Sequence, residues 1–405
     1  RRDRYGKMVH PYLSRRAGRQ PVVFDDPCLE PILARTLGVP LFQEQLMRMA
    51  MTVAGFTGGQ AEELRRALGS RRSKERMDAM TRQMREGMAA RGIAPDAQER
   101  IVTSIASFAL YGFPESHSAS FALIAYASAF LKRHHPAAFL AALLDQWPMG
   151  FYHPATLVRE ASRHGVEVRP VDADRSAWDC TLEAENVGDE AAGTSGPWSV
   201  RLGLKYVKGL SRGTGDRIVD QRARGPFTGV TDLGHRTGAT SAELFALAEA
   251  GALGASRRDA MWQALALPAA KDLLAGTVRE VPEPALPALD DRGAMAADFA
   301  RTGLTTGPHP VAFLRPDLDR TGALRAVDLP GVADGRRVRV AGMVIVRQRP
   351  YTAKGMYFAT LEDETGLSNL VVTPDLFAAH RRLLSVEPFL LAEGVAQNRD
   401  GVVSV

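Results

Sequence analysis

The residues with the types and spacing to do chemistry fall in a few short stretches. "YGFPESHSASF", residues 111–121, sets His117 between Ser116 and Ser118 just ahead of a long apolar run. Two hydroxyls and an imidazole at a helix start suit a phosphate, because first-turn N–H groups lack partners within the helix and carry partial positive charge. The plainer reading is that Ser116 or Ser118 caps the helix, for about 1 kcal/mol, while His117 satisfies a nearby carbonyl. "GLKYVKGLSRGTGDRIVDQR", 203–222, fits a helix-hairpin-helix. Val207, Gly209 and Leu210 match the hairpin, and Ile218, Val219 and Arg222 match the second helix. Ser211 stands where the pattern has its other glycine. Such a hairpin aims successive backbone N–H groups at a phosphate, with Lys208 adding charge, and it is blind to base sequence. A simple helical turn is the alternative. Gly213-Thr214-Gly215 is not a P-loop, since no Gly-Lys-[Ser/Thr] follows and no strand precedes it.

"RQRPYTAKGMYF", 347–358, interleaves Arg347, Arg349 and Lys354 with Tyr351, Tyr357 and Phe358. Unpaired bases stack on such rings while cations follow the backbone. Alternation assigns Phe358 to the core and Tyr351 to stacking. Basic residues also cluster in "RRDRYGKMVHPYLSRRAGR" at the start and in "LRRALGSRRSKER" at 64–76, although the net charge is only +5. That uneven distribution favours a polyanionic partner; a solvated helix face is the alternative for either cluster.

Metal chemistry has little support. Cys28 and Cys180 are far apart and there is no HExxH. His134 and His135 are adjacent and cannot share a helix face. "DAD" at 172–174 has the spacing of a metal-binding carboxylate pair, but it lies in an Arg- and Pro-bordered loop. No catalytic residue and no metal ligand is assigned to this chain.

These stretches need elements to position them. With 405 residues, 45% hydrophobic and 24% charged, the chain is expected to form several ordinary globular domains. Helical periodicity runs from Leu41 to Gln146, and "ASFALIAYASAFLKRHH", apolar nearly all round, predicts a buried helix. Residues 147–203 carry short strands, "RHGVEVRPVD", "WDCTLE" and "WSVRLGL", the last pairing with the second. Helices return over 204–275, and a proline-rich stretch, expected to be an extended linker, fills 276–335. From 336 to 405 the period becomes two, placing Val338, Val340, Gly342, Val344 and Val346 on one strand face. Five strands with a helix after the third give an OB barrel. The fold class is therefore multidomain, mainly α, with a C-terminal β OB-fold. No apolar run approaches the roughly 18 residues of a membrane helix. The opening lacks an initiator Met and a signal-peptide core, so a soluble, cytoplasmic piece of something longer is expected.

Together, "GVPLFQEQLMRMA", "AEELRRALGSRR", "FALYGFPESHSASFALIAYASAFLKRHHPAAFLAALL" and "VRVAGMVIVRQRPYTAKGMYFATLEDETG" resemble the bacterial C-family DNA polymerases, relatives of the polymerase III alpha subunit. "PMGFYHPATLVREASRHGVEVRPVD", "PESHSASF" and "ADFARTGLTTGPHPVAFLR" resemble the error-prone, damage-induced branch. The resemblance covers essentially the whole chain. It implies that 1–146 is the fingers region, 204–275 the tandem helix-hairpin-helix region and 336–405 an incomplete OB domain. It also implies that the PHP domain and the palm with its catalytic carboxylates lie outside this sequence. By motif, Arg65 and Arg66 would face an incoming triphosphate, with Ser116 and His117 lining the same pocket. "GSRRSK" departs from the family's lysine run and leaves the roles of Arg71 and Arg72 open. The implied partners are primer–template and single-stranded DNA, deoxynucleoside triphosphates and other proteins of a mutagenic repair complex. Mg2+ is implied for the full-length enzyme, with none bound by this portion. Two other readings compete with a templated nucleotidyl transferase: a non-catalytic DNA-binding protein using the hairpin and OB modules, and an interaction subunit that docks through its helices.

Overall fold

The computed structural model describes residues 9–69, 74–108, 113–150, 152–184, 198–254, 256–266, 284–399 and 402–405. They fall into two compact units, one within Arg1–Ala129 and the other within Phe130–Val405. Arg71, Arg72, Tyr111, Gly112 and residues 185–197 lie outside the described residues.

The first unit is helical. Helices Gln43–Ala54, Gly58–Gly69, Lys74–Ala90 and Pro95–Phe108 bury Leu46, Met49, Leu64, Met84, Met88, Ile101 and Ile105 against one another. The three- and four-residue spacing of these side chains is what gives each helix one apolar face. Gly87 is required here, since a Cβ would lie 2.1 Å from the Ala54 carbonyl oxygen. Gln45 is 1% exposed and fully engaged. Its Oε1 accepts the Leu41 and Phe42 N–H groups at 2.9 and 3.1 Å, and its Nε2 donates to Thr36 Oγ1 and the Ile32 carbonyl. One buried amide thus fastens the preceding turns to the start of the helix.

The helix Glu115–His134 corrects an expectation. It forms where the sequence places it, yet none of its residues is buried. Leu123 is 73% and Tyr126 75% exposed, and Phe121 and Ile124 are exposed too. Apolar composition is a local property, whereas burial needs neighbours all round, and the described residues do not enclose this helix.

In the second unit the helix Pro136–Asp145 buries Ala137, Leu140, Ala141 and Leu144 on one face. A small sheet follows, built from β1 (Val168–Arg169), β2 (Thr181–Ala184) and β3 (Trp198–Arg201). β2 pairs antiparallel with β3, Thr181 opposite Arg201, and β1 runs parallel to β3 on its other edge. Helices Arg212–Arg222, Val230–Thr237, Ser241–Glu249 and Arg257–Ala266 come next. Their core is continuous with the sheet and includes Val200, Leu204, Ile218, Leu233, Leu244 and Leu247.

The stretch 276–335 is not simply an extended linker. A helix runs Asp291–Arg301, capped by Asp290 through the Gly293 N–H, and Leu304 and Val311 beyond it are buried. Pro310 and Pro316 sit in the first turns of Pro310–Leu314 and Arg315–Arg320. Proline's missing N–H costs nothing there, so proline content is no argument against structure.

The C-terminal sheet has the order β4-β5-β6-β7-β10-β9, with β8 on the other edge of β5. Its strands are β4 (Ala323–Leu324), β5 (Arg337–Gln348), β6 (Tyr357–Glu362), β7 (Leu367–Val372), β8 (Phe389–Val395), β9 (Gln397–Arg399) and β10 (Val402–Ser404). Two short helices, Pro374–Ala379 and Arg381–Val386, follow β7. This curled sheet is an OB-type half-barrel around Val338, Val340, Leu361, Leu370 and Phe377. Two expectations about strand faces are corrected. A register shift between Val344 and Val346 turns Val346 outward. On β6, Tyr357 is the core residue, 4% exposed, with its hydroxyl donating to the Leu384 carbonyl at 2.7 Å, while Phe358 faces outward and is half-buried.

Candidate nucleic-acid interface

The helix that carries Ser116 and His117 is not capped by either serine. Its first N–H, from Glu115, donates to the Glu44 carboxylate at 2.9 and 3.0 Å. Ser118 lies inside the helix and donates back to the Pro114 carbonyl at 3.0 Å. Both Ser116 and His117 are exposed. The His117 ring packs between Phe113 and Phe121, centroids 4.9 and 4.4 Å away. Arg35 pairs with Glu115 beside them. Arg35 and Glu44 carry no sequence signal of this role, because they reach the site from distant turns.

Arg65 and Arg66 lie on Gly58–Gly69, the Arg66 side chain 73% exposed. Glu62 holds both: Arg65 donates to its two oxygens at 2.8 and 2.6 Å, and Arg66 Nε donates at 3.1 Å. Those hydrogen bonds, Arg65's first, pull the Glu62 carboxyl down to about 2. Among the described residues no hydrogen bond or ion pair joins these arginines to Ser116 or His117.

At the hairpin, Gly209 has φ +96°, a backbone shape that favours glycine. The Lys208 N–H donates to the Arg301 carbonyl at 2.8 Å, and the Leu210 N–H donates to Val207. Lys208 and Gly209 are exposed. Ser211 is the N-cap of Arg212–Arg222, its hydroxyl accepting the Thr214 N–H at 3.2 Å. Serine at this position therefore does capping work that glycine cannot. The Ser211 N–H is already taken, donating to Glu243 Oε1 at 3.2 Å, and Ser211 Oγ donates to the same oxygen at 2.8 Å. Glu243 Oε2 accepts from the N–H and hydroxyl of Thr240, both at 3.0 Å. Burial alone would raise this carboxyl, but the hydrogen bonds outweigh it and bring the value down to about 2. A carboxylate from the same fold thus holds part of what a phosphate would take.

On the OB module the cations divide. Arg347 donates to the Leu384 and Glu387 carbonyls at 3.1 and 2.6 Å, closing the end of Arg381–Val386. Arg349 lies over the Phe377 ring at 4.6 Å and donates to the Gly355 carbonyl at 3.3 Å. Tyr351 is fully exposed, and Lys354, at φ +51°, is exposed at the same turn. Phe358 on β6, set aside by alternation, joins them as an outward ring. It stands opposite Val371, with Thr360 and Asn369 as the next pair.

Comparisons with known proteins find three separate matches along the chain. A family model described as the bacterial DNA polymerase III alpha subunit finger domain matches residues 2–92. A helix-hairpin-helix motif matches 165–260 and an OB-fold nucleic acid binding domain 338–405. A protein named error-prone DNA polymerase from Anaeromyxobacter sp. (strain K) is 52% identical over 405 residues, covering 99% of this chain and 36% of that protein. Proteins of the same name from Methylococcus capsulatus and Bordetella bronchiseptica are each 46% identical over 98% of the chain. The chain is thus similar along nearly its whole length to proteins named error-prone DNA polymerase, and in residues 2–92 to the finger domain of the bacterial DNA polymerase III alpha subunit. It spans little more than a third of the length of these curated relatives. Within the finger-domain match lie Arg35, Glu44, Arg65 and Arg66, and within the OB-fold match lie Arg347, Tyr351, Lys354 and Phe358. No helix among the described residues is long and apolar enough to cross a membrane.

Proposed function

We propose that the intact protein is an error-prone, DNA-directed DNA polymerase in which this chain supplies incoming-nucleotide and DNA binding. The observation that carries the reading is identity of about half along nearly the whole chain to proteins bearing that name, across the fingers, hairpin and OB regions alike. The geometry supports it with outward Arg66, Ser116 and His117 on the fingers helices, outward Lys208 at the hairpin, and outward Tyr351, Lys354 and Phe358 on the OB module. Forked guanidinium and backbone N–H donors suit phosphate oxygens, and exposed rings suit unpaired bases. Template DNA, deoxynucleoside triphosphates and other proteins of a mutagenic repair complex are the partners this reading implies.

The same reading implies Mg2+, and the Asp172 and Asp174 carboxylates fit it poorly. Asp172 Oδ1 accepts the Asp174 N–H at 2.8 Å, closing a turn, and Asp174 accepts from the Phe227 N–H at 3.5 Å. Those carboxylates organise a loop, so no metal step is assigned to them.

Primer extension by the intact protein tests the proposal. His117→Ala and Arg66→Ala should raise the nucleotide KM with little change in Tm. An unchanged KM with a lowered Tm would give both residues a structural role only. Absence of extension by the wild type would favour a non-catalytic DNA-binding protein. DNA affinity should fall with salt at a log–log slope of about −0.7 to −0.9 per phosphate contacted.

A further inference from the structure

Just beyond the helix Pro136–Asp145, the chain exposes two aromatic rings in quick succession. Trp147 is 44% and Tyr152 61% exposed. Tryptophan offers the largest apolar area of any side chain, and folds usually cover most of it. Here the Trp147 ring stands edge-on to His153, centroids 6.1 Å apart at 71°. His153 is itself held in place. Its Nδ1 accepts the Ala155 N–H at 3.2 Å, capping Pro154–Arg163, so in the neutral ring the proton sits on Nε2.

The hairpin brings a cation to the same place. Gly303 marks the meeting point: a Cβ there would lie 3.7 Å from Lys208 Nζ and 3.8 Å from His153 Cε1. The bond from the Lys208 N–H to the Arg301 carbonyl fixes the hairpin against this turn. Among the described residues the Lys208 ammonium makes no ion pair. Burial, reinforced by the Lys208 charge, holds the His153 pKa below its ordinary value. Three separate segments therefore bring these groups into one region, the exposed indole edge-on to His153, and His153 and the unpaired Lys208 ammonium both at Gly303. A flat apolar face next to hydrogen-bond donors and positive charge matches a base joined to its phosphate. It does not match a duplex, whose bases present only their edges.

We propose that Trp147, with the exposed Tyr152 five residues further along the chain, is a stacking platform for an unpaired nucleotide of a DNA strand, whose phosphate is held by Lys208 and His153. This deepens the DNA-binding part of the function proposed above and rests on it. It also extends the hairpin's role, because a hairpin alone grips the backbone and leaves the base untouched. A free nucleoside triphosphate carries the same chemistry, so the test separates the two sources.

The test uses the intact protein with a labelled oligodeoxythymidylate, a blunt duplex of equal length, and deoxythymidine triphosphate as competitor. Trp147→Ala should weaken single-strand binding about tenfold, the effect of losing one stacked base, and leave duplex binding nearly unchanged. Trp147→Phe should restore most of the loss, and Tyr152→Ala should weaken the single strand by a smaller factor. Wild-type affinity for the single strand in Trp147→Ala would overturn the proposal while the protein still binds DNA. Equal losses on strand and duplex with a lower Tm would overturn it as well, by making Trp147 a packing residue. Competition by the free triphosphate at concentrations as low as the strand's would overturn the assignment to a strand. No binding of either DNA by the wild type would overturn the DNA-binding reading and this inference with it.

Discussion

The hairpin at 207–211 and the OB turn at 347–358 both carry cations in a setting suited to nucleic acid, yet the fold leaves them in different states. At the hairpin Lys208 is exposed and makes no ion pair among the described residues, but the Ser211 N–H and hydroxyl are taken by Glu243, and on the following helix Arg217 donates to the Thr237 carbonyl and Thr214 Oγ1. At the OB turn, Arg347 and Arg349 are engaged by carbonyls and by Phe377, but Tyr351 and Lys354 project freely. Arginine has five donors and no acceptor, so a folded chain readily finds carbonyl partners for it. A cation's presence in the sequence is therefore weak evidence of binding. Its position at the tip of a turn, where no carbonyl can reach it, is stronger evidence.

Removing the carboxylate at the hairpin should break this contrast most visibly. Glu243→Ala strips four hydrogen bonds from a nearly buried site and leaves the Ser211 and Thr240 N–H groups unpaired. It should cost about 3 kcal/mol of stability, seen as a lower denaturant midpoint at an unchanged m-value. The same contact has a pH signature. The carboxyl is held at about 2, below its ordinary value of 4.5. Its contribution is complete above the ordinary value and is lost as pH falls from there through about 2, roughly 3 kcal/mol in all. Denaturant titrations from pH 6 to pH 2 should show this loss in the wild type and much less of it in Glu243→Gln. If Glu243 is also a stand-in for phosphate, duplex affinity should not fall in Glu243→Gln. A fall would show that the carboxylate shapes the hairpin for DNA instead of occupying its site.

A smaller effect is expected at the OB turn, on affinity alone. Tyr351→Ala with Lys354→Ala should weaken single-stranded DNA about tenfold and leave Tm where it was. A lowered Tm with unchanged affinity would reverse the contrast. The smallest effect belongs to Arg347→Gln, which should cost about 1 kcal/mol of stability by freeing the Leu384 and Glu387 carbonyls and should change single-strand affinity less than the Tyr351 and Lys354 pair does.

Much of the fold was legible because periodicity is local. The 3.6-residue pattern around Leu46, Met49 and Val53, and the alternation of Val338 and Val340, each mark a buried face within a single element. The phase of β6 was not legible. Tyr357 and Phe358 are adjacent rings, and the choice between them is made by the turn at Lys354 and Gly355 and by the Leu384 carbonyl that receives the Tyr357 hydroxyl. The structure around 291–331 was hidden for a related reason. Pro310 and Pro316 suggest an extended chain until their places in first helical turns are known.

At the candidate sites the division is similar. Sequence by itself determined that Ser116 and His117 open a long helix, that Ser211 follows a Val207–Leu210 hairpin, and that Tyr351 and Lys354 sit in a turn between strands. Each of these follows from residue type and spacing within about twenty positions. Only the tertiary structure decided that Glu44 caps the first of them, that Glu243 occupies the second, and that the Glu115–His134 helix has no buried residue. Those outcomes depend on groups brought together from distant positions in the chain. Hydrogen bonding and burial are properties of such pairs, so no single stretch of sequence carries them.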